Sequence, residues 1–367
     1  MPTFIPGLTL NRLFYQDVLK SLLVKTFPSL QYAAALIGPG SEVLGFDTPM
    51  SMDHDWGIHF FIFLRDQDES LCQEIANLLS HRLPTHFQDF PVSIPSVSPT
   101  PPVRLHKEPL TGSVKHHITP ITIRQFVLKH IRLDVTQAME LIDWLTIPWH
   151  TIGDTVAGEV FHDGTGELTQ LREKLSWYPP DVWIYLLTAG WQRIAEEEHL
   201  MPRAGYAGSE LGSAIIGSRL VRDVMHLCFL MERKYPPYAK WLGLAFGQLK
   251  CGPELEPLLW KVQQASTWQA RQDALVEPLQ ILAKMHNTVR LTEPINETAS
   301  NFYDRPFQVI HAENFAEALR QEIRDPQLRS FADRHRIGGI SQWTDSAPML
   351  EHMVNDRVRS LYTMEEV

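Results

Sequence analysis

Apolar positions change their spacing along the chain. Over residues 11–27 they recur at helical intervals, with Leu13, Phe14, Val18, Leu19, Leu22 and Leu23 on one side. Asn11 stands where a helix cap would stand. Residues 32–37 are an apolar run ending at glycine, and residues 59–64 are a second such run. Both predict buried strands. The helical interval returns over 69–83, with Leu71, Ile75, Leu78 and Leu79 as its stripe. Residues 90–102 alternate in part but are rich in proline, which confines them to an edge strand or an extended loop. Residues 117–126 predict a third strand running into a helix.

From about Val135 the helical interval takes over. Residues 135–145, 180–198, 210–234 and 238–250 all predict helices, and 253–290 adds two more. Residues 160–166 lie between the first two and predict a turn. A short strand is expected over 304–310 and a helix over 314–323. Gly338-Gly339 breaks the chain before a last helix, 347–362. The expected fold class is α+β. An α/β domain occupies 1–134, and a mostly α-helical bundle domain occupies 135–367, with a short α/β tail from about 300. A chain of 367 residues suits two domains.

Composition narrows the function classes. With 44% hydrophobic and 21% charged residues, this is the make-up of a soluble globular protein. The formal net charge of -10 argues against a general nucleic-acid binder, which needs a basic surface to displace counterions. The three cysteines, Cys72, Cys228 and Cys251, have no zinc spacing and give no disulfide framework. A reducing compartment is expected. The first residues lack a basic, apolar leader pattern, and no apolar stretch approaches the ~20 residues that span a bilayer. The expected location is cytoplasmic, with no membrane partner.

The candidate chemistry lies near the amino terminus. Ile37-Gly38-Pro39-Gly40-Ser41 follows the first strand, and Gly45 comes four residues after Ser41. After eleven intervening residues come Asp53 and Asp55, spaced i, i+2, with Ser51 just before and Gly57 just after. Side chains two apart on a strand share a face, so the aspartates are expected to point the same way. Two carboxylates at a strand edge beside a glycine turn can hold Mg²⁺ on a nucleoside triphosphate.

This arrangement resembles the nucleotidyltransferase superfamily, the polymerase-beta-like fold, and in particular its small antibiotic-modifying members. The resemblance implies a mixed sheet and the transfer of a nucleoside monophosphate, AMP from ATP, to a hydroxyl of a small-molecule acceptor. It implies Asp53 and Asp55 as catalytic metal ligands for Mg²⁺ or Mn²⁺. Gly40 and Ser41 would contact the phosphates. His54 departs from the pattern, because the slot between the aspartates is usually apolar. A second departure concerns the third carboxylate, normally supplied by a later strand. His117-Ile118-Thr119-Pro120-Ile121-Thr122-Ile123 has no acid at all.

The plan of an α/β domain before a helical one is that of the aminoglycoside and lincosamide enzymes. Phe161-His162-Asp163-Gly164, Trp177-Tyr178-Pro179, Asp181-Val182-Trp183, Arg219-Leu220-Val221-Arg222-Asp223 and Tyr235-Pro236-Pro237-Tyr238-Ala239-Lys240-Trp241 also resemble an uncharacterised bacterial and fungal family. In that family a nucleotidyltransferase unit precedes a helical domain of unknown function. The polymerase-like members use a lysine of the helical domain at the phosphates, which singles out Lys240, with Tyr238 for the base or a phosphate and Arg222 for a phosphate. Against these stand plain structural roles: a surface lysine beside Trp241, a core tyrosine, and arginines bridged to Glu210, Asp223 or Glu232.

Three readings remain open at this point. The first is the nucleotidyltransferase. The second is a nucleotide-binding regulatory protein with a degenerate site, to which the missing third acid points. The third is a helical ribonuclease using Arg219 and His226, a spacing that arises often by chance in a helix.

Overall fold

In the computed structural model, which describes residues 2–53, 56–93, 114–352 and 355–363, the opening helix is broken by an inserted residue. α1 (Gly7–Phe14) passes through a π-turn (Tyr15–Leu19) into α2 (Lys20–Thr26). Leu10, Phe14, Leu19 and Leu23 are all fully buried. The step from 14 to 19 is one residue too long for a helical turn, and the π-turn absorbs it, keeping all four on one face. Asn11 does not cap this helix. It lies inside α1, fully buried, with Nδ2 donating to the carbonyls of Gly7 and Gly57 at 2.8 and 2.9 Å.

β1 (Tyr32–Leu36) and β2 (His59–Leu64) pair antiparallel, with Ala35 opposite Phe61. α3 (Leu71–Arg82) and a small hairpin, β3 (His86–Phe87) with β4 (Phe90–Pro91), come next. β5 (His117–Thr122) then joins β2 in parallel, His117 opposite His59. Pro120 is tolerated because β5 is an edge strand. α4 (Ile123–His130) starts at a capping box of Thr122 and Gln125. Alternation along β2 sets both faces of the sheet. Phe60, Ile62 and Leu64 join the core with Leu10, Phe14, Ile75 and Leu79. Phe61 and Phe63 meet Phe126 of α4 at ring distances of 5.0 and 5.3 Å.

Residues 135–140 do not continue as helix. The Asp134 side chain accepts from the Thr136 amide and hydroxyl, a local turn that competes with helix. α5 (Leu141–Thr146) and α6 (Trp149–Val156) follow. Residues 160–166, expected as a turn, are largely strand. β6 (Glu159–Asp163) pairs antiparallel with β1, completing a mixed sheet of order β5-β2-β1-β6. The turn is confined to the residues after Asp163, whose carboxylate accepts from the Gly166 and Thr169 amides. Gly158, at φ +72°, lets β6 close on β1, since a Cβ there would lie 2.1 Å from the Leu36 carbonyl oxygen. α7 (Glu167–Lys174) follows β6.

The protein is α+β and divides into two compact units. One comprises Met1–Ala138 with Thr151–Ser176, the other Met139–His150 with Trp177–Val367. The chain crosses between the units at 138–139, 150–151 and 176–177.

The second unit is mostly helical. α8 (Pro180–Glu197) is its central element, buried over most of its length and packed on two later helices. α9 (Leu200–Tyr206), α10 (Glu210–Met231), α11 (Ala239–Gly247), α12 (Gly252–Gln264) and α13 (Trp268–Val289) follow. The tail holds a short pair, β7 (Ser300–Asn301) with β8 (Gln308–Val309), then α14 (Ala312–Glu322), α15 (Pro326–Arg334), α16 (Ile340–Trp343), α17 (Ala347–His352) and α18 (Asn355–Thr363). The partners of α8 are α10 and α14, and Trp191 stacks on Phe315 at 4.3 Å. No helix among the described residues is long and apolar enough to cross a membrane.

Candidate functional site

Strand directions bring four points of the chain to one edge of the sheet. β1 ends there, and β2, β5 and β6 begin there. The Gly38-Pro39-Gly40-Ser41 segment leaves the end of β1. Asp53 closes a 3-10 turn, Pro49–Asp53, ahead of β2. His54 and Asp55 lie outside the described residues. Because β2 begins only at His59, Asp53, at the end of the 3-10 turn, is not on the strand. β5 brings no carboxylate to this edge.

The glycine turn is held from both sides. Gly38, at φ +93°, donates its amide to the Asp154 carbonyl at 2.9 Å. Residues 41–45 wind one turn, with Phe46 N on Ser41 O at 2.8 Å and Gly45 N on Glu42 O at 3.1 Å. Gly45 ends it at φ +72°, a left-handed value that favours glycine.

Glu42 folds back under this turn. Its side chain is 2% exposed, and a Cβ on residue 40 would lie 2.5 Å from its Oε1. Oε2 accepts from the Ser41 hydroxyl at 3.3 Å. Oε1 lies 3.0 Å from His59 Nε2, an ion-pair distance. Burial pushes the Glu42 carboxyl up. The His59 contact and charge, with the Glu42 amide and the Ser41 hydroxyl, outweigh burial and hold it below the usual carboxylate range.

A second layer fixes His59. Its amide donates to Asn11 Oδ1 at 2.9 Å, and its Nδ1 lies 3.1 Å from the Gly57 carbonyl. Asp47 Oδ2 accepts from the Gly7 amide at 2.7 Å and from Trp56 Nε1 at 3.0 Å. Asn11 and Asp47 therefore bind the start of α1 to the approach of β2. At the same edge Asp154 is 3% exposed and its Oδ1 has no hydrogen-bond partner, so burial raises its carboxyl to about 7. Glu159 is paired with Arg12 at 3.1 Å.

The donor set bears on a divalent cation. Asp154 offers a buried carboxylate oxygen lacking a hydrogen bond, and hard oxygen donors suit Mg²⁺ or Mn²⁺. Among the described residues no three His, Cys, Asp or Glu side chains gather closely enough to hold a metal.

The remaining sequence candidates belong to the second unit. Lys240 is exposed and lies over the Trp241 ring, 4.6 Å from its centroid. Trp241 Nε1 donates to the Tyr238 hydroxyl at 2.6 Å, so Tyr238, Lys240 and Trp241 form one cluster. Arg222 donates to Asp345 at 2.8 Å, and Arg219 pairs with Glu197. Burial raises the Asp223 carboxyl, and Arg193, with the charges of Arg222 and Arg219, opposes the rise. Arg193, Asp223, His226 and Gln342 line a cavity of about 10 Å³, room for about one water. Burial, then Arg222 and Arg193, push the His226 imidazole down to about 3, and its ring meets Trp149 at 4.6 Å.

Sequence reading passed over Glu42, His59, Asp47 and Asp154, and took Asn11 for a helix cap. Two of these had a local signal. Glu42 sits inside the glycine-serine motif, and His59 opens a strand otherwise wholly apolar. Asn11 and Asp154 had none, because a polar residue in a helix shows its burial only once the fold is known.

Comparison with known proteins gives limited overlap. A family profile described as "Domain of unknown function (DUF4037)" matches residues 144–242, from α5 into α11. No curated protein matches the chain. Among solved structures, a nucleotidyltransferase-like protein from Exiguobacterium sibiricum 255-15 is 11% identical over 77% of this chain and 76% of that one, with a TM-score of 0.34. Backbones that agree only to that extent decide nothing about activity.

Proposed function

We propose that the protein is a metal-dependent nucleotidyltransferase that moves AMP from ATP to a hydroxyl of a small molecule and releases pyrophosphate. The observation that carries this reading is one sheet edge holding the Gly40-Ser41 turn, at the end of β1, and Asp53, just ahead of β2. Asp53 and Asp55 are the proposed ligands of Mg²⁺ or Mn²⁺, which when bound supplies positive charge to the phosphates. The Ser41 hydroxyl and turn amides orient the phosphate oxygens. The acceptor oxygen forms a bond to the α-phosphorus, the bond to the pyrophosphate oxygen breaks, and the hydroxyl proton passes to solvent or a base.

Lys240, Tyr238 and Arg222 are the second unit's candidates for contacts to a nucleotide. Their present partners can be exchanged. An exposed cation–π contact is worth about 0.5–1 kcal/mol, against about 1.5–3 kcal/mol for a hydrogen bond to a charged group. The Arg222 partner, Asp345, is 87% exposed, and such ion pairs contribute only about 0–1 kcal/mol.

A regulatory nucleotide binder is the second reading, favoured by the absence of an acid on β5. One experiment separates the two. The protein is incubated with labelled ATP, Mg²⁺ or Mn²⁺ and a metabolite extract, and pyrophosphate and adenylylated products are followed by mass spectrometry. Pyrophosphate with an adenylylated product supports the transferase. ATP binding without either supports the binder.

A further inference from the structure

We propose that His59 and Glu42 form a charge-neutral floor beneath the Gly40-Ser41 turn, and that His59 is the positioning residue that lets a polyphosphate anion settle there. The proposal rests on the nucleotide reading above and assigns a role within it to two residues that the motif does not.

The argument begins with Glu42. A carboxylate buried to 2% exposure under the turn meant to receive phosphates opposes their arrival. At an effective dielectric constant of about 20, repulsion between unit charges several ångströms apart weakens binding by roughly tenfold or more. The carboxylate is not removed from the turn, because its oxygen accepts from Ser41 at 3.3 Å. Something has to cancel its charge.

His59 is held where it can do so. Three points fix it: its amide on Asn11, Nδ1 at the Gly57 carbonyl, and Nε2 at Glu42 Oε1. Nδ1 and Nε2 lie 3.1 and 3.0 Å from an oxygen, and a ring with a proton on each nitrogen makes the pair with Glu42 neutral. Ser41 gains as well. While the anion is absent its hydroxyl donates to Glu42. When a phosphate oxygen arrives the hydroxyl turns to donate outward, and Glu42 keeps its partner in His59.

The test is titration calorimetry of ATP and AMP, with Mg²⁺, on the native protein, His59→Gln, Glu42→Gln and the double variant, with melting temperatures for each. Glutamine keeps approximate shape and hydrogen bonding while removing the charge. His59→Gln is expected to weaken ATP binding roughly tenfold or more, and AMP binding less, since AMP carries fewer charges. Glu42→Gln is expected to bind ATP at least as tightly as native. The double variant, again neutral, is expected to recover most of the native affinity. A merely structural pair predicts the reverse, with both single variants weaker and the double variant no better than the worse of them. That pattern, or native affinity in His59→Gln, overturns the proposal. So does a tenfold loss in Glu42→Gln alone, which keeps the test decisive should His59→Gln not fold. A native protein that binds no triphosphate overturns the nucleotide reading itself, and the floor with it.

Discussion

The Gly38 amide donates to the Asp154 carbonyl across 2.9 Å, so the glycine turn after β1 is tied to α6. Asp154 contributes more than its carbonyl. Its carboxyl is 3% exposed, Oδ1 has no hydrogen-bond partner, and burial raises it from 3.8 to about 7. Between those values the unfolded chain ionises this group while the folded protein keeps it protonated. Stability therefore falls as pH rises from about 4 to about 7, and the full cost remains above that. The cost is of the order of 4 kcal/mol. Asp154→Asn should flatten this fall and melt several degrees above native at pH 8 without metal. Thermal melts from pH 4 to 8 check it, and a variant that follows the native profile contradicts it.

Asn11 gives a test of packing against capping. Loss of an N-cap side chain costs about 1 kcal/mol. Asn11 instead satisfies the Gly7 and Gly57 carbonyls and the His59 amide in a fully buried position. Asn11→Ala leaves these groups unpaired and should cost about 2–4 kcal/mol. Denaturant unfolding measures the difference, and a loss near 1 kcal/mol contradicts the assignment.

The contrast between these two residues shows what the sequence made legible. β2 was readable because its apolar run is long and both its faces are buried. β6 was not, because an edge strand with every side chain half-buried has little pattern, and its partner β1 lies more than a hundred residues earlier. Asn11 looked like a cap because a polar residue at the margin of an apolar stripe usually is one. The Gly40-Ser41 turn was readable as a turn, but the fold-back of Glu42 beneath it depends on His59 from the next strand. Arg219 and Arg222 pair with Glu197 and Asp345, both on other segments of the chain, where local spacing gives no guide.

His226 bears on the ribonuclease reading. Burial, with Arg222 and Arg193, lowers its imidazole from 6.5 to about 3. A general acid works best with its pKa near the working pH, and this ring stays neutral there. Its ring resonances should not shift between pH 8 and pH 5 in NMR spectra. The unfolded chain takes up this proton first, so the group's contribution to stability falls as pH drops from 6.5 towards 3. No RNA cleavage that depends on His226 is expected. A titration midpoint near 6.5, or cleavage lost in His226→Ala, contradicts this account.

The central claim is that Asp53 and Asp55 hold the metal that serves ATP at the Gly40-Ser41 turn. It is tested most directly by pyrophosphate release from ATP with Mn²⁺ or Mg²⁺ and a metabolite extract, comparing the native protein with the Asp53→Asn/Asp55→Asn double variant. Amides keep the shape of the carboxylates and lose their charge, so the variant should fold as the native protein does, with a melting temperature equal or slightly higher without metal. Its pyrophosphate release should fall to background, and Mn²⁺ affinity measured by electron paramagnetic resonance should fall with it. Native release and native Mn²⁺ affinity in a folded double variant would contradict the claim.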